Sequence, residues 1–328
     1  MSLGRLGLIQ AGQPSKQCPT CPTLAEMTAD ATATAADIMA GKTAYVRGEK
    51  LTGTLVPITK IDVAAEGIKF AFSTFEEVPE VFDFSNVTDI SDMFKSCNMY
   101  NIPPIIWSNI TSLREAFQSC KNISNPISIK LTTYNSSEYG MFDGCTSLTQ
   151  ISQFTAPLLM GCRRIFQNTG LQSIGLIDIP ICKDLSLSFS RCNFLNFPKI
   201  NAPQVENCQS TFENCTSMQS LEYWDFSNVT EATNMFKGCS ALSSIGDVIF
   251  LHTALSLADS PNIDEETLNR FGGFANAAGE SGVAPLKTLG LPAATLTFNT
   301  AAQTYLETEG IIAKLTDENW TVNFADSM

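Results

Sequence analysis

Few residues in this chain have types and spacings that do chemistry, and each has a plainer use. His252 is the only histidine, so it cannot build a multi-histidine metal site, and no partner for a Ser-His-Asp arrangement is marked near it. Cys18 and Cys21 form a C-x-x-C pair, but a structural zinc site needs four ligands and no second pair lies close by. Pro19 and Pro22 oppose the helix start that a redox pair would want, so a local structural role fits better, a disulfide or an interchain contact included. Gly41-Lys42-Thr43 lacks the earlier glycine of a phosphate loop, with Ala36 in its place, and runs from helix to strand instead of strand to helix. Glu265-Glu266 opens a helix, where acids suit the dipole, while Glu76-Glu77 and Asp89/Asp92 suit solvated turns. The residues therefore argue against an enzyme, and neither a cofactor nor a bound metal is expected.

Aromatic side chains could still hold a glycan. Tyr134, Tyr139 and Tyr223 are the candidates for an exposed ligand-binding ring, whereas Trp107 and Trp224 sit at strand ends and read as core. Asn-x-Ser/Thr occurs at Asn86, Asn109, Asn122, Asn135, Asn214, Asn228 and Asn319. Several of these share one place in a repeat, so turn chemistry explains them better than sugar attachment.

What must position any site is a repeat. Phe94…Cys97, Phe117…Cys120, Phe142…Cys145, Phe166…Thr169, Phe189…Cys192, Phe212…Cys215 and Phe236…Cys239 recur with the phenylalanines 23, 25, 24, 23, 23 and 24 residues apart. A fixed period of this size marks a solenoid, each repeat one coil stacked on the last. These phenylalanines and cysteines are the expected core. The six repeat cysteines should form a column of buried, unpaired thiols behaving as small hydrophobes, a slot that Thr169 also fits. Cys162, Cys182 and Cys208 fall where other repeats carry Ile90, Leu113, Leu185, Val205 and Val229, and so read as core too. Within one repeat the pattern predicts a strand (Leu221 to Phe226), a polar corner (Ser227 to Thr230) and a short helical turn (Glu231 to Phe236). The fold class expected is a repeat solenoid, mainly β with short helical turns.

Four segments follow. Residues 1–23 are an irregular arm rich in Gly, Gln, Ser and Pro. Residues 24–57 are a small α/β module with a helix over 32–40, then a hairpin around Arg47-Gly48-Glu49. Residues 58–250 are the solenoid, entered through an edge strand at Gly67–Phe75. Residues 251–328 break the period and form an α+β cap, with Asp264 capping a helix from Glu265 to 274. Strands are expected at Leu286–Leu289, Thr295–Phe298 and Trp320–Phe324, and a helix at Ala301–Leu306.

A net charge of −13, from 33 acids against 20 bases, opposes binding to the phosphate backbone, so nucleic acid is not an expected partner. No apolar run is long enough for membrane insertion, and the first residues lack the apolar core of a secretory signal.

Ser227-Asn228-Val229-Thr230, followed by Met235-Phe236-Lys237-Gly238-Cys239 and Leu242, closely resembles the BspA-type leucine-rich repeats of bacterial surface proteins, as does Ser85-Asn86-Val87-Thr88 with Met93-Phe94-Lys95-Ser96-Cys97. The resemblance covers about residues 68–250 and loosens at 126–210. It implies a right-handed parallel solenoid that acts as an adhesin or ligand-binding surface module. Residues 33–55 look like a module that recurs in bacteriophage tail and fibre proteins, and residues 295–322 are similar to the cap of phage-encoded versions. Together these imply a phage virion protein of tail fibre, spike or decoration type. Residues 1–57 would attach it to other virion proteins, and the solenoid would face a host cell-surface glycan or protein. A bacterial cell-surface adhesin is the alternative. The sequence leaves a homo-oligomer open, although no heptad argues for one.

Overall fold

The computed structural model describes residues 43–46, 49–52 and 60–326, apart from 75–77, 125–126, 223, 227, 247, 251–252, 272–293 and 318–319. The chain divides into two compact units, Met1–Thr59 and Lys60–Met328. In the first, strands β1 (Thr43–Val46) and β2 (Glu49–Thr52) pair antiparallel, Val46 opposite Glu49. The helix expected over 32–40 and the Cys18/Cys21 pair lie outside the described residues.

The second unit is mostly short strands with few helices. In chain order it begins with β3 (Ile61–Asp62), α1 (Val63–Glu66), β4 (Phe82–Asp83), β5 (Ile127–Lys130), β6 (Ser137–Tyr139), β7 (Gln150–Thr155), β8 (Gly161–Arg163) and β9 (Ser173–Asp178). Then come β10 (Asn196–Phe197), β11 (Ser220–Leu221), β12 (Trp224–Phe226), β13 (Ser244–Ile245), β14 (Val248–Phe250) and β15 (Leu255–Leu257). The C-terminal part holds α2 (Glu265–Phe271), β16 (Ala294–Phe298), α3 (Gln303–Thr308), α4 (Ile311–Asp317) and β17 (Trp320–Phe324). Every strand pair described in this unit is parallel, and in the repeats the partners lie one repeat apart: β5 pairs β7, β7 pairs β9, β10 pairs β11 and β11 pairs β13. A parallel ladder at that spacing stacks equivalent residues of successive repeats.

The segment around each repeat phenylalanine is not the helical turn that the apolar spacing predicts. Residues two before and two after the ring have positive φ in copy after copy: Asp92 and Ser96, Glu115 and Ser119, Arg164 and Asn168, Leu187 and Arg191, Ser210 and Asn214. Gly140, Gly144 and Gly238 take the same places elsewhere. A left-handed residue every fourth position stops a right-handed helix from propagating and yields successive turns. Their amides alternate in purpose. Met93, Lys95 and Cys97 donate within the coil, to the carbonyls of Ile90, Asp92 and Phe94. Asp92, Phe94 and Ser96 donate to the next coil, at Arg114, Ala116 and Gln118. The same alternation recurs around Phe117, Phe142, Phe166, Phe189 and Phe212. It satisfies the backbone of a buried segment that is neither helix nor strand.

The period also begins earlier than the sequence pattern implies. In place of the edge strand expected at Gly67–Phe75, the described residues 67–74 form no strand: Phe70 and Phe72 donate to Met93 and Lys95 of the next coil, and Phe72 has the left-handed φ of the post-ring position. Phe70 is thus an eighth ring in the column, and its copy lacks the cysteine because Ser73 stands three residues on.

The rings of Phe70, Phe94, Phe117, Phe142, Phe166, Phe189, Phe212 and Phe236 stack one on the next, with centroids 5.1–5.9 Å apart and interplanar angles of 3–20°. This offset-parallel geometry suits the ring quadrupole, and each ring is almost fully buried. Phe197 and Trp224 close edge-on against Phe212, at 4.7 and 5.9 Å.

Beyond Cys239 the period ends but parallel pairing continues in β15, β16 and β17. Asp259 Oδ2 accepts from Gly238 N at 2.8 Å, and Ser260 Oγ donates to Cys239 O at 3.2 Å, so side chains complete the last coil. Asp264 caps α2 by accepting from Thr267 N at 2.7 Å. The helix expected to run to 274 is described to Phe271, and the strand expected at 286–289 lies outside the described residues.

Replacing Phe212 by Ala should cost roughly 3–5 kcal/mol, since it empties the centre of the ring column. Urea unfolding of the full chain measures this; a loss below about 1 kcal/mol would mean that the ring does not carry the packing.

Candidate binding cleft

The strand ladder is interrupted near its start, between β4 and β5. The segment Asn101–Ile106 precedes a short 3-10 turn at Trp107–Asn109 and pairs with neither β4 nor β5. Pro103 and Pro104 supply the reason, because neither has an amide to donate to a ladder. β5 is left at the edge of its sheet, with β7 as its one strand partner among the described residues. A cleft of about 300 Å³ opens there, walled by Ile102, Pro103, Pro104, Trp107 and Ile127, with Asn101 and Ser128 also lining it. Trp107 is half-buried, its ring tilted 56° against Phe117 with centroids 6.4 Å apart. The sequence reading of Trp107 as core is therefore corrected in part: one side packs inward and the other lines the cleft. The adjacent prolines were the available signal for that opening.

The three tyrosines separate. Tyr134 is 3% exposed, so the expectation of an exposed ring is corrected. It fills a core position, and its hydroxyl donates to Ser137 O at 3.2 Å and lies 3.5 Å from Glu138 Oε2. Tyr139 is half-buried between two guanidiniums, Arg114 and Arg164, each 5.5 Å from the ring centre. Arg164 also donates to the Tyr139 hydroxyl at 2.6 Å and lies 3.7 Å from Asp143, while Lys95 pairs with Glu115 and Asp92. The cations here are thus matched by carboxylates, which makes the cluster a lateral brace between coils and leaves little unmatched charge for a ligand. Tyr223 lies outside the described residues, as do His252 and Glu76-Glu77.

Glu138 is the buried charge that the sequence reading missed. It stands four residues before Phe142, where other coils place Ile90, Leu113, Cys162 and Leu185, and it is 2% exposed. Its register partner across the β6–β8 pair is Cys162. Oε1 has no hydrogen-bond partner among the described residues. Burial pushes its carboxyl well above the usual range, and the nearby Glu115 adds to this, while hydrogen bonds from Tyr139 and Tyr134 and the charge of Arg114 oppose it. The period itself exposes the residue, an acid in an otherwise apolar column.

Phe94, Cys97, Phe117, Cys120, Phe142, Cys145, Phe166, Phe189, Cys192, Phe212, Cys215, Phe236 and Cys239 are all at most 1% exposed. All nine described cysteines are free and buried. They do more than fill space. Cys97, Cys120, Cys145, Cys192, Cys215 and Cys239 each point Sγ at the carbonyl of the preceding coil's phenylalanine, at 2.8–3.2 Å. All six of those carbonyls, from Phe70 to Phe212, therefore accept twice or more, as with Phe94 O, which takes Cys97 N in its own coil and Cys120 Sγ from the next. Thr169 bonds its own coil's Phe166 O instead, at 2.8 Å. Burial pushes the Cys192 and Cys239 thiols up to about 12 and raises Cys145, Cys208 and Cys215 as well, so these sulfurs are poor nucleophiles.

No group of three or more His, Cys, Asp or Glu residues among those described is placed to hold a metal ion. Asn109, Asn122 and Asn228 turn their side-chain amides to carbonyls of the preceding coil, Ser85, Asn98 and Pro203, at 2.9–3.2 Å. No helix of the described residues is long and apolar enough to cross a membrane.

The sequence profile of one protein family, described as "Mycoplasma protein of unknown function, DUF285", matches residues 66–176 and again 140–247. The two overlapping stretches span more than half of the chain and cover the stacked coils. No curated protein and no solved structure matches the chain.

Two outcomes follow from the buried groups. Glu138 binds a proton more tightly in the folded state, so its contribution is fully present below the ordinary glutamate range and is lost as pH rises towards its elevated folded value, at up to about 1.4 kcal/mol per pH unit. Glu138→Gln should match the wild type in urea unfolding at pH 4 and exceed it at pH 7; a variant less stable at both would remove the buried acid from the account. Thiol titration of denatured, unreduced protein should find at least nine of the eleven cysteines free. Nearly complete pairing would refute the sulfur-to-carbonyl column.

Proposed function

The chain belongs to the DUF285 family, and on that premise we propose that it is a non-enzymatic virion protein whose coils form a right-handed solenoid of the BspA leucine-rich-repeat type, built to display a binding surface. The observation that carries the reading is the continuous stack of rings from Phe70 to Phe236, one from each coil. Every coil spends its buried groups on its neighbours, which leaves a rigid lateral surface whose side chains vary freely from coil to coil, the usual working face of such arrays. The resemblance of residues 33–55 and 295–322 to phage tail and fibre segments supports the virion setting. In this reading residues 1–57 attach the protein to other virion proteins, and the lateral surface meets a host cell-surface glycan or protein.

A second reading, a bacterial cell-surface adhesin, draws support from the family description, which names a bacterial genus and no virus. The two part on location. Peptide mass spectrometry of purified, nuclease-treated particles from the source culture should find the chain at a fixed ratio to the tail proteins. Its absence from particles together with its presence in washed cell envelopes would reject the virion reading in favour of the adhesin.

A further inference from the structure

We propose that the cleft at Trp107 is a sugar-binding site for a single neutral pyranose ring. This rests on the host-binding reading above only for the source of the sugar; the chemistry of the site stands by itself.

The cleft exists because Pro103 and Pro104 withdraw one coil's strand from the ladder. Its volume of about 300 Å³ is at the lower end of small-ligand pockets, room for one sugar ring with its substituents and not for an extended oligomer. Among the described residues, none that lines it carries a charge. An anionic ligand such as a phosphate, a sialic acid or a uronate would find no cation there, and a cationic one no carboxylate. A neutral ligand remains, and it must suit mixed walls.

One wall is aromatic and rigid. Trp107 is half-buried, packs against Phe117 and the core, and lines the cleft. The negative face of an indole attracts the polarised C–H groups that line one face of a pyranose. The rim is polar: Asn101 and the exposed Ser128 lie there, the latter with its hydroxyl 3.5 Å from Gln153 Oε1, a weak contact that a sugar hydroxyl can replace. An apolar face with hydroxyls at the edge describes a hexopyranose better than a lipid, which would leave the rim groups unused, or a charged metabolite.

The molecule supplies its own probe. Of its three tryptophans, Trp224 and Trp320 are each 2% exposed and Trp107 alone is half-buried, so collisional quenching of tryptophan fluorescence reports mainly on the cleft. The full chain is titrated with the methyl glycosides of glucose, galactose, mannose and N-acetylglucosamine, and separately with glucuronate, while quenching by acrylamide is followed. At least one neutral glycoside should protect Trp107 with a millimolar or tighter dissociation constant, and glucuronate should not. Ser128→Lys, a change at an exposed rim position, should weaken the protecting sugar at least ten-fold and leave the thermal melt unchanged. Trp107→Phe removes the reporter, so its binding is read by titration calorimetry, where it should weaken the same sugar several-fold. Protection by none of the neutral glycosides at tens of millimolar, equal protection by glucuronate, or undiminished binding by Ser128→Lys would each overturn the proposal. Attachment of the labelled chain to host cells separates the two readings: if the wild type attaches and Ser128→Lys attaches equally well, the surface binds a host but the cleft is not where, whereas a wild type that protects Trp107 with sugar yet attaches to no host cell sinks the host-binding reading and leaves the site standing.

Discussion

The carbonyl of each repeat phenylalanine is where the coils are joined. At Phe94, Phe117, Phe142, Phe189 and Phe212 it takes an amide from its own coil, three residues on, while Phe166 takes the Thr169 hydroxyl there, and all but Phe142 also take the thiol of the next coil's cysteine. Its ring lies flat against the rings above and below. Because one residue does both, the backbone ladder and the apolar column cannot slip independently: shifting the register by one residue would break the turn amides, unseat the sulfur and unstack the ring together. The alternating left-handed residues are the conformational cost of this arrangement, about 1 kcal/mol or more at each non-glycine site. The column of buried rings offsets that cost.

This coupling explains why the lateral surface is free to vary. Once the core positions are set by ring, sulfur and alternating amides, the outward residues need only tolerate their φ and their neighbours. Coils therefore carry Asp92 in one place and Leu187 in the equivalent one. Where the rule is relaxed, local features appear. Pro103 and Pro104 remove donors and open the Trp107 cleft; Glu138 replaces an aliphatic side chain and puts a buried carboxyl into the column; Thr169 turns its hydroxyl to its own coil.

Much of this was readable from spacing alone. The period placed the rings and sulfurs on one line, and Asp264, Thr295–Phe298 and Trp320–Phe324 announced their elements by capping and alternation. What spacing could not carry was backbone hand. The apolar positions before Phe236 fit a helical face, yet the copies use two left-handed residues per turn, and most of these are Asp, Ser, Asn, Arg or Leu with no glycine to flag them. Phe70 escaped because Ser73 replaces the cysteine that marks other copies. Tyr134 read as exposed because a polar run surrounds it, while its ring fills the core space next to Glu138. The thiols read as small hydrophobes because a weak S–H donor leaves no trace in sequence.

The most direct test of the joined column is amide hydrogen exchange, resolved residue by residue, on the intact chain. The account predicts that the amides of Phe94, Phe117, Phe142, Phe166, Phe189 and Phe212, which donate across coils, exchange at one common slow rate set by global unfolding, and that the intervening turn amides follow them. Fast or scattered exchange at those six phenylalanines, with slow exchange confined to the short strands, would contradict it.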